Sequence, residues 1–157
     1  ATENAGSDSG VRERAADFYY STDQFDEAEE IFKELVKSQT DRLDLRKKLA
    51  RVYKEKGDME QYTETLLGIV EVNPSDVMTH RQIAAAYKKM GDIPNSVKHE
   101  RIALKIGKGS AKDYLKVARD MVNENLHEEA VKFIKEAAYL FPENADFQWL
   151  LTFPLRS

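Results

Sequence analysis

Three histidines and one glycine-lysine segment are the residues whose types could support chemistry. The run "HEEAV" at residues 127–131 has the first His and the Glu of a zinc-binding H-E-x-x-H helix, but a Val stands where the second His must lie. The run "IGKGSAK" at 106–112 lacks the full G-x-x-x-x-G-K-[ST] loop that cradles phosphate. The chain has no Cys, which excludes thiolate zinc sites. We therefore interpret His80, His99 and His127 as surface residues, and we predict no enzymatic activity, no metal site and no cofactor.

The elements that would position any functional residue recur every 34 residues. A small residue recurs at Ala16, Ala50, Ala84 and Ala118. A large residue follows three positions later, at Tyr19, Tyr53, Tyr87 and Met121. A third series consists of residue types that tolerate a left-handed backbone, namely Asp23, Gly57, Gly91 and Asn125. A fixed period of this length indicates a repeat architecture.

Each repeat is predicted to contain two helices. The apolar spacing within "AEEIFKELV" and "AVKFIKEAA" is helical, and Pro74 and Pro142 stand two periods apart after the second helix of their repeats. We therefore expect an all-α chain with turns near 23, 57, 91 and 125 within repeats and near 40, 74, 108 and 142 between them. The four repeats would cover about 10–41, 42–75, 76–109 and 110–143. Stacked repeats would share one continuous core.

These residues resemble the tetratricopeptide repeat (TPR) family. Its repeat of 34 residues has small residues at positions 8 and 20, Tyr at 11, Gly at 15 and Pro at 32. The second repeat has Ala50, Tyr62, Tyr53, Gly57 and Pro74 at those positions, so only Tyr62 departs from the pattern. The third repeat departs more: Ser96 stands at position 20, Glu100 stands where a large apolar residue is usual, and Lys108 replaces Pro. We therefore expect its second helix to pack irregularly. The resemblance implies a right-handed α-solenoid.

Charge is sorted between the two sets of helices. The predicted first helices sum to +6 and the second helices to −7, within a chain of net charge −4. In the TPR family the first helices line a concave groove, so the resemblance implies a basic groove and an acidic outer side. The groove residues would be Lys47, Arg51, Arg81, Gln82, Lys112, Lys116 and Arg119. The net negative charge predicts no binding to nucleic acid.

Some TPR co-chaperones hold a terminal carboxylate with five side chains spaced by 4, 31, 30 and 4 residues. Here that spacing falls on Lys47, Arg51, Gln82, Lys112 and Lys116, all of which are hydrogen-bond donors. Arg51 and Gln82 stand where Asn is expected, and Lys116 stands where Arg is expected. We therefore predict a protein-protein interaction module whose groove binds an acidic or C-terminal segment, without that particular clamp.

The end of the chain suggests an alternative function. Residues 144–157 are predicted to form an apolar capping or truncated helix, with Phe147, Trp149, Leu150, Leu151, Phe153 and Leu155 as its large apolar side chains. We expect this helix to be at least partly ordered, with Trp149 buried against the fourth repeat or another copy of the chain. A scaffold that self-assembles through this segment and its convex face is therefore the alternative, as a homo-oligomer.

The first residues predict little structure. Residues 1–9 are small and polar, and we expect a disordered leader there. The sequence predicts neither a signal peptide nor a membrane-inserted segment. The compartment stays undetermined, with the cytoplasm favoured and the periplasm possible.

Overall fold

A computed structural model describes residues 2–152 of the chain, with side chains from residue 8. These residues form helices and no strands. The helices are α1 (Thr2–Ser21), α2 (Phe25–Ser38), α3 (Leu43–Lys56), α4 (Met59–Val72), α5 (Val77–Met90), α6 (Ile93–Ile106), α7 (Ala111–Asn123), α8 (His127–Leu140) and α9 (Ala145–Thr152). The prediction of an all-α repeat fold is confirmed.

Consecutive helices pack in pairs, α1 with α2, α3 with α4, α5 with α6 and α7 with α8. We call the first helix of each pair the A helix and the second the B helix. The helix ends fall at the turns that the 34-residue period indicated. The four residues of the turn series all have positive φ, as predicted: 61° at Asp23, 76° at Gly57, 80° at Gly91 and 61° at Asn125. Each therefore closes its A helix in the left-handed conformation.

Side chains at the starts of several helices bind backbone N–H groups that have no partner within the helix. Asp58, Asp76 and Asp92 accept hydrogen bonds from the backbone three residues ahead, at the starts of α4, α5 and α6. Ser110 forms a capping box with Asp113 at the start of α7. These caps fix where the helices begin, and so fix the register of the side chains on each face.

The contacts divide the chain into two compact units, residues 1–74 and residues 75–157. The division lies at the predicted boundary between the second and third repeats. In the first unit, Ala16, Ala28 and Ala50 are all buried, as close packing between A and B helices requires. Large side chains fill the rest of this core, including Phe32, Leu45, Val52, Leu66 and Ile69.

The second unit has a core centred on α7 and α8. Its buried residues include Leu104, Tyr114, Met121, Phe133, Ile134 and Phe147. The rings of Tyr114 and Phe133 stack with centroids 5.3 Å apart, which ties α7 to α8. Helix α9 packs on α8 and adds Phe147 to this cluster.

Helix α1 begins at Thr2, where the sequence predicted a disordered leader over residues 1–9. A helix that has already been nucleated extends at little further cost, so weak helix formers can be included at its end. The Ser9 hydroxyl also accepts a hydrogen bond from the Gln39 side chain, just beyond α2. No helix within residues 2–152 is both long and apolar enough to cross a membrane.

Candidate protein-binding surfaces

Every residue predicted to line the groove lies on an A helix and is exposed. Lys47 and Arg51 lie on α3 in the first unit. Arg81 and Gln82 lie on α5, and Lys112, Lys116 and Arg119 lie on α7, all in the second unit. The two units are therefore described separately.

In the first unit, the cations near the predicted groove residues are already paired. Lys48 donates hydrogen bonds to Glu13 and Asp17 on α1, each at 2.8 Å. Arg42 reaches the same Glu13 carboxylate at 3.1 Å. The hydrogen bond from Lys48, reinforced by Arg42, holds the pKa of Glu13 below its usual value. Arg51 lines a cavity of only about 50 Å³ beside Asp17, which is too small for a large side chain.

In the second unit, a cavity of about 310 Å³ lies among α5, α6 and α7. We call it the A-side cavity. Arg81 and Lys116, which the sequence assigned to one groove, both line it. Ala84, Ala85 and Val117 form part of an apolar wall beside them. Gln82, Lys112 and Arg119 do not line the cavity. The structure therefore brings together two of the five predicted groove residues of this unit.

The A-side cavity is mixed in charge rather than uniformly basic. Lys88 also lines it and binds Asp120 at 3.0 Å, which links α5 to α7. Glu100 and Glu124 add two further carboxylates. On α7 and at its C-terminal cap, Lys116, Asp120 and Glu124 follow one another at four-residue intervals, so they lie along one side of the helix. A ligand in this cavity would therefore meet cations and carboxylates together.

A second cavity, of about 330 Å³, lies among α6, α7 and α8 and was not anticipated from the sequence. We call it the B-side cavity. Val97 on α6 lines both cavities, so the contact between α6 and α7 is open on two sides. The sequence did predict irregular packing of the third repeat, from Ser96 and Glu100. Both residues line the A-side cavity. The sequence did not indicate the B-side cavity.

The interpretation of His80 and His99 as surface residues is wrong. They are 4% and 7% exposed, and their Nδ1 atoms lie 3.0 Å apart between α5 and α6. The rings stack with centroids 5.2 Å apart, and Tyr87 stacks against His99. Burial, with the neighbouring His80 and Lys98, lowers the pKa of His99. The pair is therefore a hydrogen-bonded part of the core.

His127 is half-buried at the start of α8, and among the described residues its buried Nδ1 atom has no hydrogen-bond partner. It therefore lies only partly at the surface. Among residues 2–152, no three His, Asp or Glu side chains are placed to hold a metal ion together.

Within one copy of the chain, Trp149 is not buried against the fourth repeat, and its predicted alternative, burial against another copy, stays a prediction. Phe147 is fully buried, and Leu150 and Leu151 pack against the same cluster. These residues lie at i, i+3 and i+4, so they share one face of α9. Trp149 lies on the other face and is 60% exposed. Phe153 and Leu155 lie outside the described residues.

Paired helices with a period of 34 residues define an α-helical repeat protein. A family model described as "Tetratricopeptide repeat" matches residues 11–42, which correspond to the first repeat. Residues 11–42 therefore match a tetratricopeptide repeat, as the resemblance indicated for this part of the chain. The comparison with curated proteins gives no match.

Solved structures share this fold at low sequence identity. A crystal structure of MamA matches with a TM-score of 0.62 and 17% identity, over 88% of this chain and 81% of that chain. A second MamA structure, from AMB-1, matches with a TM-score of 0.65 and 20% identity, over 93% of this chain and 79% of that chain. A third structure contains nearly identical TPR-like repeats of a putative kinesin light chain from Podosopora anserina. It matches with a TM-score of 0.55 and 20% identity, over 85% of this chain and 74% of that chain. At these identities the likeness establishes a helical-repeat solenoid and nothing further.

Proposed function

We propose that the chain works by protein-protein recognition, without catalysis, and that its A helices bind an acidic segment or a free C-terminus of a partner. One observation carries this proposal: Arg81 and Lys116, from successive A helices, line one cavity with an apolar wall. A cavity of about 310 Å³ that combines apolar side chains with a few charged groups is suited to anchoring one side chain or chain end. A carboxylate there would accept charge-assisted hydrogen bonds.

The other predicted residues have supporting places in this proposal. Gln82, Lys112 and Arg119 are exposed on the same two helices, where they can contact parts of a partner that lie outside the cavity. Lys47 and Arg51 offer a similar surface on α3 of the first unit. The carboxylates that also line the A-side cavity favour a partner with a single acidic group there rather than a run of acidic residues.

Charge reversal in the A-side cavity tests this proposal. A partner captured by the full chain would be titrated against the wild-type protein and against the double variant Arg81→Glu/Lys116→Glu. Each charge-assisted hydrogen bond contributes about 1.5 to 3 kcal/mol, so the loss of both should weaken binding at least about tenfold. The matched control is Lys132→Glu/Lys135→Glu, which makes the same change of charge on exposed positions of α8. The control should leave the affinity within about twofold, because long-range charge effects are screened by salt.

Both variants should keep the wild-type helicity, because all four residues are exposed. The proposal fails if the partner binds the Arg81→Glu/Lys116→Glu variant as tightly as the wild-type protein. It also fails if the affinity is the same at low and at physiological salt.

A self-assembling scaffold is the second candidate function, and the exposed apolar residues near the C-terminus favour it. Tyr139 is 87% exposed, Trp149 60% and Leu140 49%. Clusters of large exposed apolar side chains often mark interfaces. Sedimentation velocity over a roughly hundredfold range of concentration tests this, with Tyr139→Ser/Trp149→Gln as the variant expected to stay monomeric. A wild-type protein that is monomeric throughout would exclude it.

A further inference from the structure

The B-side cavity combines an apolar floor with a basic mouth. Its floor is formed by Val97, Ile102, Met121 and Leu126, and Met121 is itself fully buried. Its mouth carries three cations from one face of α6, at spacings of three and four residues: Lys98, Arg101 and Lys105. About 330 Å³ is enough to receive a large apolar side chain. The flexible thioether of Met121 can adjust to side chains of different shape.

The basic mouth is particular to the third repeat. One period earlier, the positions of Lys98 and Lys105 are Glu64 and Glu71 on α4. The four predicted second helices span residues 24–38, 58–72, 92–106 and 126–140. Of these segments, the third alone has a positive net charge, +1. The predicted acidic outer side is therefore interrupted here, directly beside an apolar cavity. Charge and shape therefore coincide at the B-side cavity.

The cations at the mouth exceed the carboxylates that surround them. Glu136 on α8 binds both Arg101, at 3.1 Å, and Lys105, at 3.0 Å. These two partners, Lys105 first, hold the pKa of Glu136 below its usual value. Among the described residues that line the cavity, Glu129 is the one carboxylate, against the three cations. The Arg101 guanidinium also lies over the Phe133 ring, 5.4 Å from its centroid, so it is already oriented before any ligand arrives.

We propose that the B-side cavity is a second protein-binding site, which takes a partner segment with one large apolar side chain flanked by acidic residues. The apolar side chain would occupy the cavity against Ile102 and Met121. The flanking carboxylates would bind Lys98, Arg101 and Lys105 at the mouth. This site shares only Val97 with the lining of the A-side cavity, and it does not depend on the function proposed there.

Methyl NMR on the full chain tests this site directly. The probe is a pentapeptide with phenylalanine between two pairs of acidic residues, blocked at both ends so that it has no terminal charge. Titration up to about 5 mM, which covers weak peptide sites, should shift the methyl signals of Ile102 and Met121 along a saturable curve. Two control peptides accompany it, one with alanine in place of phenylalanine and one with lysine in place of each acidic residue. Each should bind at least about fivefold more weakly.

The protein variant for this test is Lys98→Glu/Lys105→Glu, which should weaken binding of the probe at least about tenfold. Glutamate already occupies both equivalent positions on α4, so the substitution suits a B helix. Its control, Lys33→Glu/Lys37→Glu, makes the same change of charge at exposed positions of α2 in the first unit and should change binding less than about twofold.

Three outcomes overturn the proposal. The first is the absence of any shift at Ile102 and Met121. The second is a set of shifts confined to the A-side methyl groups of Ala84 and Ala85. The third is an unchanged affinity, either of the Lys98→Glu/Lys105→Glu variant for the probe or of the wild-type protein for the lysine-containing peptide.

Discussion

The contrast between Phe147 and Trp149 gives the sharpest test of the fold. Phe147 is fully buried, and its ring stacks on Phe141 with centroids 6.0 Å apart. Phe141 in turn meets the ring of Tyr114 edge-on at 5.4 Å, so Phe147 is connected to the centre of the core. Truncation of a buried Phe to Ala costs about 3 to 5 kcal/mol, from lost apolar burial and the cavity that remains. Since α9 is a short terminal helix that can partly relax, we expect Phe147→Ala to cost about 3 kcal/mol.

Trp149 is the matched control, because it lies two residues away on the opposite face of the same helix. Its side chain is larger than that of Phe147, but the residue is 60% exposed. We therefore expect Trp149→Ala to cost less than about 1 kcal/mol. A difference of about 2 kcal/mol between the variants is roughly a thirtyfold difference in the unfolding equilibrium constant.

Urea unfolding followed by far-ultraviolet circular dichroism measures both free energies. The dependence of the free energy on urea should be the same in both variants and the wild-type protein, so that the midpoints report stability alone. In the wild-type protein, the emission of Trp149 should be that of a largely hydrated indole. Equal costs for the two substitutions, or a cost below about 1 kcal/mol for Phe147→Ala, would refute the packing described for α9.

Three further predictions concern the histidine pair, a turn and a cap. Burial keeps the pKa of His99 low in the folded chain, so the unfolded chain binds more protons as the pH falls. The free energy of unfolding should therefore be highest above about pH 6.5 and should decrease below that pH. Urea midpoints between pH 7 and 5 should show a smaller fall in His99→Asn than in the wild-type protein. Gly91→Ala should cost about 1 kcal/mol because φ is 80° there, whereas Gly10→Ala, in helix α1 with open space around it, should not destabilise; thermal melts compare the two. Ser110→Ala should cost about 0.5 to 2 kcal/mol in urea unfolding by removing the cap of α7, and an unchanged midpoint would contradict the capping box.

The repeat period predicted most of the fold because it fixes which positions must be small and which must turn. The period gave no signal for the histidine pair, because the equivalent positions differ between repeats. They hold Arg12 and Ile31 in the first repeat, Arg46 and Thr65 in the second, and Tyr114 and Phe133 in the fourth. The burial of His80 and His99 follows instead from the contact between α5 and α6, which the residue types alone do not determine.

Other features were beyond the sequence because they depend on distances between helices. The density of apolar residues predicted an ordered C-terminal helix, but it did not determine which face would turn inward. The i, i+3, i+4 spacing of Phe147, Leu150 and Leu151 was the stronger guide, and it left Trp149 outside. The two cavities result from how closely α6 approaches α7, which no single residue type fixes. The sequence predicted a basic groove from net charge alone. It could not determine that Asp120 and Glu124 lie beside Arg81 and Lys116 in the lining of the A-side cavity.

The left-handed turns have a consequence for the order in which the chain opens. The second and third repeats place Gly57 and Gly91 in this conformation, whereas the first and fourth use Asp23 and Asn125. A side chain in the left-handed region costs up to about 1 kcal/mol relative to Gly, although Asp and Asn tolerate it better than most residues. A penalty of that size corresponds to about a fivefold higher population of locally open states. Protection against amide exchange should therefore be greater around the two glycine turns than around Asp23, Asn125 and Lys108, the last of which has a φ of 49°.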